Sequence, residues 1–437
     1  MSNTWFRLRR GFFLSFFPSD TPHYENVPFE VPSSWVWCRL EDIAYVASGS
    51  TPDKTCFVEN GVPYIKMYNL RNQKIDFAYH PQYITEEVHN GKLQRSRTEV
   101  GDLIMNIVGP PLGKLAIIPT TLPQANFNQA AVLIRPYKFK EVLVSYLKVY
   151  LEEMSEINSI ATRGSAGQVN ISLTQSQNMR IPIPPLNEVR RIIEEVSKYD
   201  ILIDSLKQNI TDIQNLIAYT KSKILDLAIH GKLVLQDPND EPAIELLKRI
   251  NPDFTPCDNG HYENLPSGWA MCKLSDLCRI ENGFAFSSND YKTQGIPLVR
   301  ISNIIHNTID ITDCAYIEGV TDNKFKISKG DLLIAMSGAT TGKMGVYPFD
   351  ETAYLNQRVG NIKILNKSLL SPDYRNTYMQ SKVDEILKIA YGGAQPNISA
   401  SVIGNFDFPL PPYKEQIRIV ETVQRIFGQL DVITESL

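Results

Sequence analysis

The sequence predicts a mixed α/β protein in which two similar globular domains are separated by long helices that pair as an antiparallel coiled coil. Three observations predict this class. Most of the chain is written twice, each copy contains short alternating apolar segments broken by turn residues, and each copy ends in a proline pair followed by a heptad repeat. The phrase IPIPPLNEVRRI at 181–192 returns as FPLPPYKEQIRI at 408–419. We therefore expect one fold, used twice in tandem.

The duplication runs through both globular parts. HYENVP at 23–28 returns as HYENLP at 261–266, and GVPYIKMYNL at 61–70 returns as GIPLVRISNI at 295–304. The distance between equivalent residues shrinks along the chain, as small differences in loop length would produce. The predicted segments are an irregular N-terminal segment at 1–22, a first globular domain at 23–185, a central coiled-coil helix at 186–231, a linker at 232–260, a second globular domain at 261–412 and a second helix at 413–437.

The two helices are predicted from apolar residues spaced alternately four and three apart after each proline pair. This spacing forms a coiled-coil seam, and because both repeats start in the same register we expect the helices to pair with each other. Gly231 is expected just past the end of the central helix. The heptad pattern is still unbroken at Leu437, so the second helix is expected to be shortened. The seam positions are Ile192, Val196, Tyr199, Ile203, Leu206, Ile210, Ile213, Ile217, Ile224 and Leu227 in the first helix and Ile419, Val423, Ile426, Leu430, Ile433 and Leu437 in the second.

Composition is that of an ordinary globular protein, with 43% hydrophobic and 21% charged residues and a net charge of −4. That charge neither indicates nor excludes nucleic acid, since it averages over unlike surfaces. The six cysteines contain no CxxC pair, so we expect reduced thiols and no zinc site. No stretch approaches the ~20 apolar residues of a membrane span. We therefore expect a cytoplasmic protein that does not bind a membrane.

The architecture predicts a spacer that carries two heads. A helix rises ~1.5 Å per residue, so the repeat from Ile192 to Leu227 spans roughly 50 Å. That length is of the same order as the ~34 Å of one turn of B-form DNA. Two non-identical heads at such a separation would suit two different half-sites. The periodicity itself does not identify DNA as the partner.

A family resemblance adds to this interpretation. The segments GSAGQVNISLTQSQNMRIPIPPLNEVRRI (164–192) and YGGAQPNISASVIGNFDFPLPPYKEQIRI (391–419) look like the end of a target recognition domain passing into a conserved helix. LAIHGKLVLQDPNDEPA (227–243) and MSGATTGKMG (336–345) resemble further motifs of the same family. In all of these the chain resembles the specificity subunit of type I restriction-modification systems, over nearly all of its length beyond residue 20.

The resemblance implies a non-catalytic DNA-recognition subunit. Each target recognition domain would read one half of a bipartite site in double-stranded DNA, and the helices would set the gap between the halves. The helices would also dock two methyltransferase (M) subunits, which restriction (R) subunits would join. It implies no cofactor in this chain, with S-adenosylmethionine, ATP and magnesium on the partner subunits.

Two lysines follow glycines at matching places in the copies, Lys114 in GPPLGK and Lys343 in GATTGK. Neither loop fits the Walker nucleotide-binding pattern, because the spacing of the glycines differs and no Ser or Thr follows the lysine. Two interpretations stay open for both loops. Each is either a turn that connects two strands or a loop whose lysine contacts a DNA phosphate.

Amide side chains recur as well. Asn128 and Gln129 in the first copy match Asn356 and Gln357 in the second, where Arg358 follows. Asn, Gln and Arg can make bidentate contacts with base edges. The alternative is that these amides close a turn beside a strand.

A second recurring set precedes the proline phrase, as GQVNIS in the first copy and AQPNIS in the second. Gln168 matches Gln395 there, and Ser172 matches Ser399. Heads for different half-sites should differ where they read bases. Identical residues therefore favour a cap at the start of a helix or a phosphate contact.

Base reading is expected where the copies differ. RNQK at 71–74, with Arg71, Asn72 and Lys74, stands opposite part of NIIHNTID at 303–310. Three more arginines of the first copy have no basic equivalent in the second, and each of these residues taken alone is also compatible with an ordinary solvated charge. They are Arg95, Arg97 and Arg163.

Two other classes of protein remain as alternatives. One is a coiled-coil scaffold with two protein-binding heads, which would lack the steep salt dependence of DNA binding. The other is a stand-alone DNA methyltransferase or nuclease. The sequence contains neither the Asp/Asn-Pro-Pro-Tyr/Phe run of amino-methyltransferases nor a Gly-rich cofactor loop after a strand. We predict no catalytic and no metal-binding residues.

Overall fold

The computed structural model describes residues 27, 29–109, 112–153, 170–256, 265–305, 307–318, 322–392 and 396–437. The predicted irregular segment at 1–22 lies outside these residues. The chain divides into two compact units, Met1–Ser205 and Leu206–Leu437. The division falls within the predicted central helix, so each unit contains one globular domain and part of that helix.

The first unit contains twelve strands among its described residues, together with short helices and the start of one long helix. The strands are β1 (Val36–Arg39), β2 (Ala44–Ser48), β3 (Phe57–Val58), β4 (Val62–Ile65), β5 (Leu70–Arg71), β6 (Lys74–Ile75), β7 (Tyr83–Ile84), β8 (Leu103–Asn106), β9 (Leu115–Ile117), β10 (Asn126–Phe127), β11 (Ala131–Pro136) and β12 (Arg180–Ile183). The helices are α1 (Leu40–Ile43), α2 (Glu86–Asn90), α3 (Lys140–Glu153), α4 (Leu173–Gln177) and α5 (Leu186–Ile229), which continues into the second unit.

Two four-stranded sheets form the body of the first domain, in the orders β2-β11-β8-β9 and β10-β4-β7-β3. Every residue of β8 is buried. Successive side chains of a strand point to opposite faces. Leu103 and Met105 accordingly join a cluster with Trp35 and Trp37, whereas Ile104 joins a second cluster around Phe127. The central sheet therefore has a hydrophobic core on each face, which explains its uninterrupted apolar sequence.

The second unit repeats this plan. Its strands are β13 (Ala270–Lys273), β14 (Cys278–Asn282), β15 (Ile296–Val299), β16 (Ile304–Ile305), β17 (Asn307–Ile309), β18 (Ala315–Ile317), β19 (Lys326–Ile327), β20 (Leu332–Ala335), β21 (Met344–Val346), β22 (Ala353–Leu355), β23 (Val359–Ile364) and β24 (Asp407–Leu410). Its helices after α5 are α6 (Ala243–Ile250), α7 (Leu274–Leu277), α8 (Pro372–Ser381), α9 (Val383–Ala390), α10 (Ala400–Gly404) and α11 (Tyr413–Ser436).

The two domains differ in how one small hairpin is attached. The second domain has a four-stranded sheet β18-β15-β22-β19 and a six-stranded sheet β14-β23-β20-β21-β17-β16. Four strands of the larger sheet repeat β2-β11-β8-β9, and the other two form the hairpin β16-β17. In the first domain the equivalent hairpin β5-β6 is a separate two-stranded sheet. The predicted mixed α/β fold, used twice, is confirmed, and this hairpin is one structural difference between the copies. Another is the outer strand of the smaller sheet, which is β3 beside β7 in the first domain and β19 beside β22 in the second.

The proline phrase is a strand, a turn and the start of a helix. In the first copy β12 pairs antiparallel with β1, with Trp37 opposite Pro182. In the second copy β24 pairs with β13 in the same way, with Met271 opposite Pro409. The proline pair then ends the strand, and a proline carbonyl accepts the first hydrogen bonds of the helix. The duplicated phrase is therefore the point at which each domain passes into its helix.

Within the second unit, α5 and α11 pack against each other as antiparallel helices. The ammonium group of Lys221 lies 2.5 Å from Asp431 and 5.2 Å from the centre of the Phe427 ring. Further along the chain, Gln236 donates a hydrogen bond to Glu415 (3.1 Å). Contacts thus advance along one partner while they move backwards along the other. The predicted antiparallel pairing is confirmed for this stretch.

The predicted seam is buried in part. Ile217 and Ile224 of α5 are less than 9% exposed, as are Ile419 and Val423 of α11. Among the seam positions before Ile217, burial is incomplete. Val196, Ile203 and Ile210 are half-buried, Tyr199, Leu206 and Ile213 are exposed, and Ile192 is half-buried against the core of the first domain. In α11, Ile426 and Leu430 are half-buried and Ile433 is exposed.

Helix α5 ends as the sequence predicts. Gly231 has a positive φ of 65°, and the N–H of Lys232 donates to the carbonyl of Leu227 (2.9 Å). A Cβ at position 231 would lie 2.3 Å from Pro266, so glycine is required for packing as well as for conformation. In the part of the chain that the structure describes, no helix combines the length and apolar composition needed to cross a bilayer.

The described cysteines, which are Cys38, Cys56, Cys272, Cys278 and Cys314, are not joined in disulfides. Burial raises the pKa of Cys38 to about 12, with a smaller contribution from the charge of Asp42. Burial likewise raises the pKa of Cys278 to about 12. Thiols that stay protonated at neutral pH are poor nucleophiles and poor metal ligands.

Candidate nucleic-acid interface

The β5-β6 hairpin carries three of the predicted DNA-binding residues at its tip. Leu70 pairs with Ile75 and Arg71 with Lys74. The two residues between the strands have positive φ, 49° at Asn72 and 56° at Gln73. This is the backbone of a tight two-residue hairpin turn, which Asn adopts more readily than most residues. The turn leaves Arg71, Asn72 and Lys74 exposed.

A buried asparagine holds the base of this hairpin. The side-chain oxygen of Asn69 accepts from the N–H of Lys66 (2.9 Å), and its amide nitrogen donates to the carbonyls of Asp76 (3.1 Å) and Tyr79 (2.7 Å). The amide side chain thus replaces backbone pairing where the hairpin leaves the domain. Asn303 repeats the arrangement in the second domain, accepting from Arg300 and donating to Asp310.

Sequence reasoning missed these two asparagines. The available signal was their recurrence at matching positions, as YNL and SNI at the ends of the repeated segments. Both are buried, 0% exposed for Asn69 and 4% for Asn303. Their role is to hold the two hairpins in equivalent positions, and neither can reach a ligand.

The guanidinium of Arg71 is held by two neighbours. It lies 4.0 Å from the centre of the Tyr79 ring, and its Nε is 3.9 Å from Asp76. The Tyr79 ring packs edge-on against Tyr68 and His80, with ring centres 6.3 Å and 4.5 Å away. Because the Tyr79 ring under the guanidinium is itself packed against two further rings, Arg71 is less free than an ordinary surface arginine.

The glycine-lysine loops are turns between strands. In the first domain the N–H of Asn106 donates to the carbonyl of Lys114 (2.8 Å), closing the β8-β9 connection. In the second domain Ala335 and Lys343 make the equivalent bond (2.8 Å) between β20 and β21. The interpretation as strand-connecting turns is therefore correct. Lys114 is half-buried and Lys343 exposed, so a phosphate contact remains compatible with both turns.

In the first domain the hairpin tip is tied to the end of this turn by one side chain. The side-chain oxygen of Gln73 accepts a hydrogen bond of 2.7 Å from the N–H of Leu115. Lys114 precedes Leu115, so its backbone lies beside the hairpin that carries Arg71 and Lys74. Three cationic residues therefore belong to one connected edge of the domain, which we call the first tip.

The second domain builds the same edge through its backbone. Strand β17 pairs in parallel with β21, with Asn307 opposite Gly345 and Thr308 opposite Val346. A Cβ at position 345 would lie 2.5 Å from the carbonyl oxygen of Thr308. Only glycine allows this approach, and the first domain has Ala116 at the matching place. We call the hairpin β16-β17 with the turn at Lys343 the second tip.

The residues on the two tips differ in character. The alignment places Ile305 opposite Arg71 and Thr308 opposite Lys74. Ile305 is 39% exposed although it is apolar. The second tip thus offers an isoleucine where the first offers an arginine.

Arg95 and Gln129 meet at a different place, beside Ser50 and Thr51. The guanidinium of Arg95 donates to Ser50 Oγ from two nitrogens (3.2 and 3.1 Å). The Thr51 hydroxyl is hydrogen-bonded to the side-chain oxygen of Gln129. Arg97 instead binds the carbonyl of His89 (3.0 Å) and the side chain of Asn90 (2.7 Å). Arg97 therefore holds the loop after α2, and Arg95 is the more exposed of the two.

The recurring asparagines, Asn128 and Asn356, form turns beside strands. The Asn356 side chain is 9% exposed and accepts from the N–H of Arg358 (3.4 Å). The oxygen of the Asn128 side chain is buried, and a Cβ at Gly49 would lie 2.1 Å from the Asn128 carbonyl. The Asn356 amide fits the turn-closing interpretation. At Asn128 the turn is closed by the backbone instead, because the N–H of Ala131 donates to the Asn128 carbonyl (3.3 Å), and the Asn128 side-chain oxygen has no hydrogen-bond partner among the described residues. Gln357 and Arg358 have exposed side chains and stay candidates for DNA contact.

The residues before the proline phrase are described in part. Ser172 caps α4 by accepting from Gln175 N–H (3.1 Å), and Ser399 caps α10 by accepting from Val402 N–H (3.3 Å). The predicted helix-start cap is confirmed at both serines. Arg163, Gln168 and Gln395 lie outside the described residues.

One arginine also stabilises the interior of each domain, half-buried Arg135 in the first and buried Arg375 in the second. Arg135 binds the fully buried Asp102 (2.6 Å), which raises the pKa of the arginine. In the second domain Arg375 donates to the carbonyls of Ile362 and Gly330 (both 2.9 Å), and burial lowers its pKa. These charges are structural. Within the described residues, no group of His, Cys, Asp and Glu side chains has a metal-binding arrangement.

The repeated architecture, with an equivalent tip on each copy, is that of a protein with two related recognition domains. The sequence model of the type I restriction modification DNA specificity domain matches residues 32–215 and again 266–437. The chain therefore belongs to the family of type I restriction-modification specificity subunits.

Curated relatives agree with this assignment. The chain is 25% identical to the type I restriction enzyme EcoAI specificity subunit of Escherichia coli, over 92% of this chain and 79% of that protein. It is 22% identical to the EcoKI specificity subunit of Escherichia coli strain K12, over 93% of this chain and 85% of that protein.

Solved structures share the fold. A chain from a structure on complex assembly and conformational transition of the type I R-M system matches with a TM-score of 0.60 and 19% identity, over 94% of both chains. The HsdS subunit from Thermoanaerobacter tengcongensis matches with a TM-score of 0.53 and 18% identity, over 94% of this chain and 93% of that one.

Proposed function

We propose that this chain is the DNA-recognition subunit of a type I restriction-modification complex, with each globular domain reading one half of a bipartite site in double-stranded DNA. The observation that carries the proposal is the pair of tips. Each domain holds its edge with a buried asparagine at the matching position, Asn69 in one and Asn303 in the other, yet the two edges present different side chains. A protein that reads two different half-sites needs this combination of a constant frame and variable contacts.

In this proposal the antiparallel helices set the gap between the half-sites and dock two methyltransferase subunits, which restriction subunits join. The chain itself is non-catalytic and cytoplasmic. S-adenosylmethionine, ATP and magnesium are bound by the partner subunits. The names of the relatives support this division of labour, since they are specificity subunits of restriction enzymes.

Methylation mapping tests the proposal. Adenine methylation is sequenced on random DNA exposed to this chain together with the methyltransferase encoded next to it, and to the methyltransferase alone. We expect a bipartite motif that needs this chain. Complex formation without any motif would contradict the recognition role. DNA binding without steep salt dependence would favour the scaffold alternative, because phosphate contacts release counterions.

A further inference from the structure

The two tips share a matched frame but differ in their exposed side chains, first of all at the position that follows Leu70 in one domain and Ile304 in the other. Leu70 and Ile304 start the hairpins at equivalent places, and Ile75 and Ile309 pair with them. These apolar residues are buried or half-buried in both domains. The side chain that follows the first strand residue faces outward, and it is Arg71 in one domain and Ile305 in the other.

Arg71 is prepared for a bidentate contact. Its guanidinium carbon lies over the Tyr79 ring, 4.0 Å from the ring centre, and Asp76 approaches from the side of Nε. Among the described residues, no hydrogen bond engages Nη1 or Nη2. A guanidinium held over a ring with its terminal nitrogens available matches the O6 and N7 acceptors of guanine in the major groove. The prior contact with the ring also reduces the side-chain entropy lost on binding.

Ile305 suits a different base. An exposed, β-branched apolar side chain cannot hydrogen-bond a base edge, but it can pack against the 5-methyl group of thymine, which no other DNA base carries. Its partner across the hairpin, Thr308, removes the positive charge that Lys74 supplies on the first tip.

We propose that Arg71 and Ile305 are specificity-determining residues at the same position of the two heads, Arg71 reading a guanine and Ile305 the methyl group of a thymine. Tyr79 is the positioning residue for Arg71. The proposal rests on the DNA-recognition function above and assigns the bases that one pair of residues reads. Lys74 and Lys114 then contact phosphates and carry no base preference.

The test uses the full chain with its methyltransferase and the same methylation mapping. Arg71→Met keeps an unbranched stem over Tyr79 while removing the donors. We expect guanine discrimination at one position of one half-site to fall roughly ten- to hundredfold, with the other half-site unchanged. The unchanged half serves as an internal measure of folding and assembly. Ile305→Ala should relax thymine preference at one position of the opposite half.

Lys74→Met is the matched control, since it removes one charge from the same hairpin. We expect weaker binding at all sequences, a smaller salt slope and an unaltered motif. For the positioning residue, Tyr79→Leu should relax the same guanine position as Arg71→Met. Tyr79→Phe should restore it, because the ring is retained.

The outcomes separate the two proposals. No motif from the wild-type complex would contradict the recognition function itself. A wild-type bipartite motif that Arg71→Met and Ile305→Ala leave unaltered would overturn the base-reading inference alone. Equal relaxation by Lys74→Met would also overturn it, since the effect would then come from charge.

Discussion

The hairpins of the two tips are attached to the neighbouring strand of their domain in different ways. In the second domain the main chain of β17 pairs directly with β21 across Gly345. In the first domain Ala116 occupies the matching position, and the side chain of Gln73 reaches Leu115 instead. The two domains thus differ by the methyl group of Ala116, and the hairpin is attached by strand pairing in the domain without it and by a side-chain hydrogen bond in the domain with it. The position of an exposed hairpin can be kept while the bonds that hold it are replaced.

The largest expected effect comes from adding a side chain at Gly345, where β17 and β21 of the second domain lie against each other. In Gly345→Ala the new Cβ would lie 2.5 Å from the carbonyl oxygen of Thr308 and 3.0 Å from Ile309. We expect β17 to detach and the second domain to lose about 3 kcal/mol of stability, as overpacking commonly costs. Hydrogen exchange of peptides covering 307–309 and 344–347 measures it. Wild-type protection there would contradict the explanation, and peptides covering 115–118 serve as the internal control.

Removing the buried asparagine of either domain should weaken the tip of that domain. Asn69→Ala leaves two carbonyls and one N–H without their side-chain partner, and Asn303→Ala leaves one of each. We expect a loss of about 2 kcal/mol in either domain, larger for Asn69, because unsatisfied buried groups are costly. Equal urea midpoints for wild type and both alanine variants would refute this role.

A smaller effect is expected at the side-chain bond. Gln73→Asn tolerates the positive φ but is one methylene too short to reach Leu115. We expect about 1 kcal/mol of lost local stability, seen as faster exchange of the Leu115 amide. Asn307→Gly is the counterpart in the second domain. It should leave β17 protected, since the main chain holds that strand. Faster exchange in both variants would mean that the two attachments are not different.

The smallest effect concerns pH. Hydrogen bonds from the Thr312 side chain and backbone lower the pKa of Asp310 at the end of the second hairpin. Because the folded pKa lies below the unfolded value, this contribution to stability is present above the unfolded pKa and is lost as pH falls through the folded one. Thr312→Val should raise the Asp310 pKa in a carboxyl NMR titration, whereas Thr312→Ser should not. An unchanged Asp310 pKa in the valine variant would mean that the Thr312 hydroxyl does not lower it.

Much of the fold was predictable because it is written twice. The proline phrase and the heptads after it predicted the junction between each domain and its helix and the antiparallel pairing, and the conformation of Gly231 followed from its place in the sequence. The strand that the phrase forms in each copy was not predicted. Repetition also marked the frame of the tips, although Asn69 and Asn303 went unnoticed because asparagine is common in exposed turns. Their burial depends on the surrounding fold, which a local pattern does not contain.

The contacts of the site could not be predicted in the same way. Tyr79 lies eight residues after Arg71, and its ring reaches the guanidinium only because Asn69 closes the intervening loop. Arg97 looked equivalent to Arg95 in the sequence, but it is bound to His89 and Asn90. The heptad pattern also treats Ile192 and Ile224 alike. Ile192 packs against the first domain, whereas Ile224 is buried in the core that includes α11.

The pairing of β1 with β12, and of β13 with β24, brings the two ends of each globular domain side by side. Each domain is thus an insert whose points of attachment are neighbours, closed off by a short ladder next to the helix. Everything between the two ladder strands can therefore change in length or sequence while the start of the following helix stays at the same place beside β1 or β13.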